Sequence, residues 1–347
     1  MDWGILQGQD AAVESLRRDI SSGRVGGAYI FFGPDGVGKA TAAGLFARAL
    51  ECEGEAPPCG ACPACEKVGR GVHPDVITVR PEKDKSTGQD RKTIGVGPIR
   101  EQVLQRAHQR PQEGRRLVFI VDNAHTVTLP AFNSLLKTLE EPSPDTVLII
   151  VTPNLHALPP TVVSRCRRLR FRSLNRAEQR EILSAILGEG EADLDRLISL
   201  SLGRLGQAFD ADSRALAEQR ESALEFLEGV SAPPGKADEA ALLAMAAAVA
   251  GRGGSARRDV LGFLEMILGL LRDILVLEVA PDVLEPWNAD VDKALRAIGS
   301  RWGVSGLFQA LGRVRFAARD VGEINTNPSL TLESLVISLR GTVGAGG

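Results

Sequence analysis

The feature that most limits this chain is an apolar run that breaks at glycines and opens directly into a helix. Ala28-Tyr-Ile-Phe-Phe32 has the aromatic and β-branched content of a buried strand. Gly33-Pro-Asp-Gly-Val-Gly-Lys-Ala40 follows, and Lys39–Leu50 has helical periodicity. Strand, glycine-rich turn and helix in that order form the context of a phosphate loop. Glycines at 33, 36 and 38 let backbone N–H groups converge on phosphate oxygens, and the helix N-terminus adds partial positive charge. Lys39 is placed to reach the β- and γ-phosphates of ATP, or the β-phosphate of ADP. Gly33, Gly36, Gly38 and Lys39 are therefore candidate nucleotide-binding residues.

The surrounding pattern is α/β. Apolar strands are expected at Val76–Val79, Leu117–Val121 and Thr146–Val151, with an edge or terminal strand at Arg168–Phe171. Helices are expected at Ala11–Ile20, near Pro98–Ala107 and over Pro130–Glu140. Alternation of this kind predicts a parallel sheet covered on both faces. The stretch Pro81–Lys92 is polar and charged and reads as a surface loop. From Asn175 strand runs vanish and helical periodicity takes over. Asn175-Arg-Ala-Glu178 is a capping-box variant that starts the first of these helices.

The loop departs from a hydrolytic one at two positions. A hydroxyl normally follows the lysine and ligates Mg²⁺. Here that position is Ala40, and Thr41, one place on, is rotated by about 100° around the helix. The strand Leu117–Val121 ends in Asp122, suited to holding a metal through water, but the next residue is Asn123. A neutral amide cannot accept the proton of an attacking water. The reading is a nucleotide fold that does not hydrolyse.

Composition narrows the rest. A net charge of −3 gives no global attraction to nucleic acid, and 4% aromatics argue against a base-stacking platform. A DNA-binding module would have to use the local run Arg165, Arg167, Arg168, Arg170, Arg172, Arg176 and Arg180. Without a resemblance to guide it, that run reads as a solvated face or DNA patch. Arginine has a fixed, permanently charged fork suited to phosphate, and Arg165, in Ser164-Arg-Cys166 after Leu158–Val163, is the member of the run that could complete a neighbouring subunit's nucleotide site at a subunit edge. Val260–Val279 is interrupted by Glu265, Arg272, Asp273 and Glu278, so it is a packing helix and not a membrane span. With no basic-then-apolar start and no lipidation motif, a cytoplasmic protein is expected. Stable disulfides are rare there. Four of the five cysteines nevertheless cluster as Cys52-x6-Cys59-Gly-Ala-Cys62-Pro-Ala-Cys65. Two x2 spacings and a fourth thiolate wrap one tetrahedral ion, which selects structural zinc over an iron–sulfur cluster, with His73 spare.

Together these motifs resemble the delta-prime subunits of bacterial replicative clamp loaders, in the AAA+ class. The resemblance is carried by Gly8-Gln9, Gly33–Lys39, the cysteine insert with Val72-His-Pro-Asp75, and Phe132-Asn-Ser-Leu-Leu-Lys-Thr-Leu-Glu-Glu-Pro142. Ser164-Arg-Cys166 and Asn325-x-Asn-Pro328 with Leu332-Glu333 complete it, whereas residues 210–320 share only a generic helical pattern. It implies an AAA+ P-loop core over residues 1–172 with a zinc-binding insert at about 51–70, a helical lid at 173–210, and an all-α collar at 211–347. It further implies a five-subunit ring with gamma/tau and delta subunits that loads a sliding clamp on primed DNA. Arg165 would act as an arginine finger in trans, Thr152 or Asn154 as a sensor, and Arg204 as the lid arginine. Part of the apolar Leu261–Leu277 helix is then expected to face other subunits, with burial inside its own domain equally open. The competing readings are a gamma/tau motor subunit of the same ring and a stand-alone P-loop NTPase. The motor class keeps the hydroxyl and the acidic pair, and commonly a long C-terminal extension that these residues do not show.

Overall fold

The computed structural model describes residues 3–81, 93–187, 191–202, 213–233, 235–251, 256–324 and 326–342. The chain divides into two compact units, Met1–Glu178 and Gln179–Gly347.

The first unit is built on five strands: β1 (Ala28–Phe32), β2 (Val76–Val79), β3 (Leu117–Val121), β4 (Thr146–Thr152) and β5 (Arg167–Arg170). They form one sheet in the order β2-β3-β4-β1-β5, every neighbouring pair parallel. Helices α1 (Asp10–Ser22), α2 (Lys39–Glu51), α3 (Pro63–Gly69), α4 (Val96–Ile99), α5 (Leu129–Glu140) and α6 (Pro160–Val163) cover or border it. The strands alternate strictly. Tyr29, Phe31, Val118, Ile149 and Val151 join Leu16 and Phe46 on one face. Ile30, Phe119, Val121, Leu148 and Ile150 join Phe132 and Leu135 on the other. Each fully buried side chain of this size contributes roughly 1.5–3 kcal/mol. Tyr29 and Phe46 meet edge to face at 5.1 Å, and the Tyr29 hydroxyl donates to Asp19 at 2.9 Å. Asp19 also accepts from Arg167 at 2.5 Å, so one buried carboxylate ties α1 to the edge strand β5.

Helix α4 runs on as a π-helical turn, Arg100–Leu104, where a regular helix was expected. Strand β5 begins at Arg167, one residue earlier than the sequence suggested, and only Leu169 of it is buried. Asn175 Oδ1 accepts from the Glu178 N–H and Glu178 Oε2 from the Asn175 N–H, both at 2.9 Å, so the capping box forms. It starts α7 (Arg176–Leu187).

The second unit is helical: α8 (Glu191–Leu200), α9 (Ser213–Ser231), α10 (Glu239–Ala250), α11 (Ala256–Val279), α12 (Asp292–Arg319) and α13 (Pro328–Arg340). Helix α12 breaks at Gly303, whose φ is +61°. Phe226, Phe263, Ile267, Leu270, Leu307 and Leu332 share the core. Most of the apolar length of Leu261–Leu277 is consumed here, so the exposed apolar surface expected on it lies elsewhere. Phe308 and Phe316 on α12 and Leu330 and Ile337 on α13 are each more than 60% exposed. None of the described helices is long and apolar enough to cross a membrane.

Candidate nucleotide-loop site and metal centre

In a parallel sheet all strands deliver their carboxyl ends to one edge, where such folds bind ligands. β1 ends at the glycine loop, β3 at Asp122 and β4 at Thr152. Gly33, Gly36 and Gly38 take φ of +147°, +75° and +92°. At Gly33 a Cβ would lie 2.0 Å from the carbonyl oxygen of Phe171, so the strand-to-loop turn admits no side chain. Gly38 caps α2 in the left-handed region. Lys39 is 6% exposed, and its Nζ donates to the carbonyls of Gly33 (2.7 Å) and Pro34 (2.5 Å) and to Asp35 (3.4 Å). Burial lowers the Lys39 pKa, while Asp35 and Asp122 pull it back up. The glycines adopt the positive-φ conformations that the turn requires, and the Lys39 ammonium rests against the loop's own carbonyls.

The hydrolytic parts are arranged differently. Asp122 is paired with Arg80 at 3.1 Å, and its Oδ1 accepts the Asn123 N–H at 2.9 Å. Asn123 is exposed with φ +54°. Ala40 and Thr41 are both exposed at the start of α2. Thr152 is buried, and its hydroxyl donates to the Asn154 carbonyl at 3.0 Å, closing the turn after β4. Asn154 in turn caps the His156 N–H at 2.9 Å. His125 belongs to the same cluster: burial lowers its pKa, with Asp35, Lys39 and Asp122 acting on it. The candidate lid arginine, Arg204, lies outside the described residues, as do Asn325 and residues 82–92 of the polar loop. Sequence reasoning missed Asp35 and Arg80. Asp35 sits four residues before Lys39 and was legible; Arg80 has no local signal.

The arginine run is largely neutralised. Arg165 pairs with Glu140, Arg167 with Asp19, Arg172 with Glu178 and Arg180 with Asp195, each at 2.5–2.6 Å. That weakens the run as a free cationic patch for DNA.

The four cysteines converge. The sulfurs of Cys52, Cys59, Cys62 and Cys65 all lie within 4.8 Å of one another. A tetrahedron with bonds of about 2.3 Å requires sulfurs roughly 3.8 Å apart, so the set fits one ion. Backbone N–H groups already point at the sulfurs: Gly54 and Cys59 at Cys52 (3.3 Å each), Cys62 at Cys59 and Cys65 at Cys62 (3.4 Å each). Such donors favour thiolates. The N–H groups of Ala61 and Cys62 bring the Cys59 thiol down to about 6, whereas burial pushes Cys65 up to about 12. A bound cation offsets that second cost. His73 is buried outside the cluster, with its Nδ1 accepting the Asp75 N–H at 3.2 Å.

Residues 8–175 match the family model described as "DNA polymerase III, delta subunit". That match covers a little under half of the chain. Among curated relatives, DNA polymerase III subunit tau of Escherichia coli is 29% identical over 308 residues, 84% of this chain and 46% of that protein. Subunit tau of Bacillus subtilis is 35% identical over 170 residues, 48% of this chain and 28% of that protein. The chain thus spans less than half the length of these relatives. A DNA polymerase III gamma subunit-related protein from Thermotoga maritima superposes with a TM-score of 0.51 at 19% identity, covering 95% of this chain and 99% of that one. That likeness supports the fold. The relatives carry the names tau and gamma and do not single out the delta-prime type.

Proposed function

We propose that this chain is a clamp-loader subunit of the delta-prime, stator type. It assembles with gamma/tau and delta subunits in a five-membered ring that places a sliding clamp on primed DNA in the cytoplasm. The observation that supports this reading is a strand, glycine turn, lysine and helix in the order of a phosphate loop, without the groups that hydrolysis requires. Ala40 offers no hydroxyl, Asn123 no base, and Asp122 is engaged by Arg80. ATP or ADP can sit on such a loop without being cleaved. Loss of groups of this kind commonly costs several kcal/mol of barrier.

In the assembled ring Arg165 is the arginine finger. It stabilises charge developing on a neighbouring subunit's γ-phosphate, while Thr152 and Arg204 contribute to this chain's own degenerate nucleotide site. Cys52, Cys59, Cys62 and Cys65 hold one structural zinc, tying down an insert too short to bury its own core. Residues 173–210 act as lid and 211–347 as collar. The exposed Phe316 and Leu330, which line a groove of about 520 Å³ on the second unit, are candidate contacts with other collars.

The names of the relatives favour a second reading, a gamma/tau motor subunit. One assay separates the two. The pure chain should show no steady ATP turnover; turnover abolished by Lys39→Ala would make it a motor. In the reconstituted ring, Arg165→Ala should lower the DNA- and clamp-stimulated ATPase, and an unchanged rate would remove the finger.

A further inference from the structure

We propose that Glu140 is a positioning residue for Arg165: it fixes the guanidinium in one orientation before a neighbour's nucleotide is met. This rests on Arg165 acting in trans. Glu140 is the last residue of α5, and Arg165 follows α6. Arg165 Nε (2.9 Å) and Nη2 (2.5 Å) both donate to the same Glu140 Oε1. Nη1 donates to the Thr161 carbonyl (2.9 Å) and to Ser164 Oγ (3.2 Å). Ser164 Oγ is itself anchored on the Thr161 carbonyl at 3.1 Å.

A guanidinium offers five N–H donors. Four are taken by these contacts, and the second N–H of Nη2 is left for an incoming oxygen. The head is therefore gripped along its Nε and Nη1 sides with one donor free. Arginine has a long, rotamer-rich side chain, and ordering it during the reaction costs entropy. A fork set in place beforehand removes that cost from the transition state. Stability does not explain the arrangement. The Arg165 and Glu140 side chains are 35% and 50% exposed, and pairs this open contribute little to folding. Variants at 140 should therefore fold, which makes the idea testable.

The test uses the ring reconstituted from this chain, the motor subunits, the clamp and primed DNA, read as kcat and KM for ATP. Glu140→Ala should lower kcat about tenfold with KM unchanged, the signature of a misplaced group acting only in the transition state. Glu140→Gln should keep most of the rate, because its amide oxygen can take the same hydrogen bonds. In an Arg165→Ala background, Glu140→Ala should cause no further loss. A normal rate for Glu140→Ala beside a slow Arg165→Ala ring overturns this proposal alone. So does a Glu140→Ala loss that persists undiminished without Arg165. A normal rate for Arg165→Ala removes the finger reading, and this proposal with it. Matching thermal melts and ring co-elution for each variant separate these outcomes from misfolding.

Discussion

Asp75 stands at the entry to β2 with its carboxylate fully buried, and replacing it with alanine isolates what that buried charge does. Its Oδ1 accepts the N–H of Gln112, and its Oδ2 those of Glu113 and Gly114, each at 2.8 Å. Hydrogen bonds to a charged acceptor are worth about 1.5–3 kcal/mol apiece. Gln112 and Glu113 are exposed, so water can replace part of what alanine removes. About 1 kcal/mol per amide, or about 3 kcal/mol for the set, is the expected loss. The effect should spread. The same loop carries Glu113, which pairs with Lys67 of α3, and the N–H groups of Arg115 and Arg116, which bind the buried Glu51 at 2.8 and 3.1 Å. Native-state hydrogen exchange reads the first unit separately from the second. Protection of the β2 and β3 amides should fall by that amount in Asp75→Ala. A loss well under 1 kcal/mol would show that the three bonds are no better than their hydrated counterparts. The pH dependence gives an independent check. Burial pushes the Asp75 carboxyl up, but the three N–H donors outweigh it and hold its pKa below the ordinary value. A depressed folded pKa means stabilisation that is complete above the unfolded value, about 3.9, and fades as pH falls through the folded one. The gap between wild type and Asp75→Ala should therefore be flat from about pH 5 to 8 and shrink below about pH 4.

Elemental analysis of freshly purified protein should find about one zinc per chain, and Cys62→Ser should lose it; metal-free wild type would remove the zinc assignment. Gly33→Ala should lower the melting temperature sharply, since its Cβ would meet the Phe171 carbonyl at 2.0 Å with φ at +147°. A wild-type melt would mean that the turn relaxes freely. Tyr29→Phe keeps the packing against Phe46 but deprives Asp19 and the Gly26 N–H of the hydroxyl. It should cost about 1–2 kcal/mol in denaturant unfolding, and a neutral result would mean that water restores both bonds.

How legible each part was depends on how local its cause is. Strands β1 and β3 fall on the apolar runs that suggested them, because a strand buried on both faces has no polar position to blur its ends, and β2, an edge strand with only Val79 buried, coincides through its β-branched run Val76–Val79. Strand β5 was misplaced by one residue because an edge strand with three exposed arginines carries little apolar signal. The π-helical turn at Arg100–Leu104 was not visible, since one extra residue per turn hardly alters the apolar spacing. In the site, the glycines and cysteines were legible because backbone freedom and ligand spacing are written in neighbouring residues. Arg80 for Asp122 and Glu140 for Arg165 were not, because 42 and 25 residues separate the partners.

The sequence by itself determined the parallel α/β core, the loop without its hydroxyl and base, and the four thiols close enough to share an ion. Each depends on chemistry confined to a few consecutive residues. Only the tertiary structure decided which charges meet and which apolar faces stay open. Leu261–Leu277 is largely buried in its own unit, and α12 and α13 carry uncovered apolar side chains such as Phe308, Phe316, Leu330 and Ile337. Periodicity shows that a helix has a face to bury, but what covers that face depends on helices brought together from distant parts of the chain.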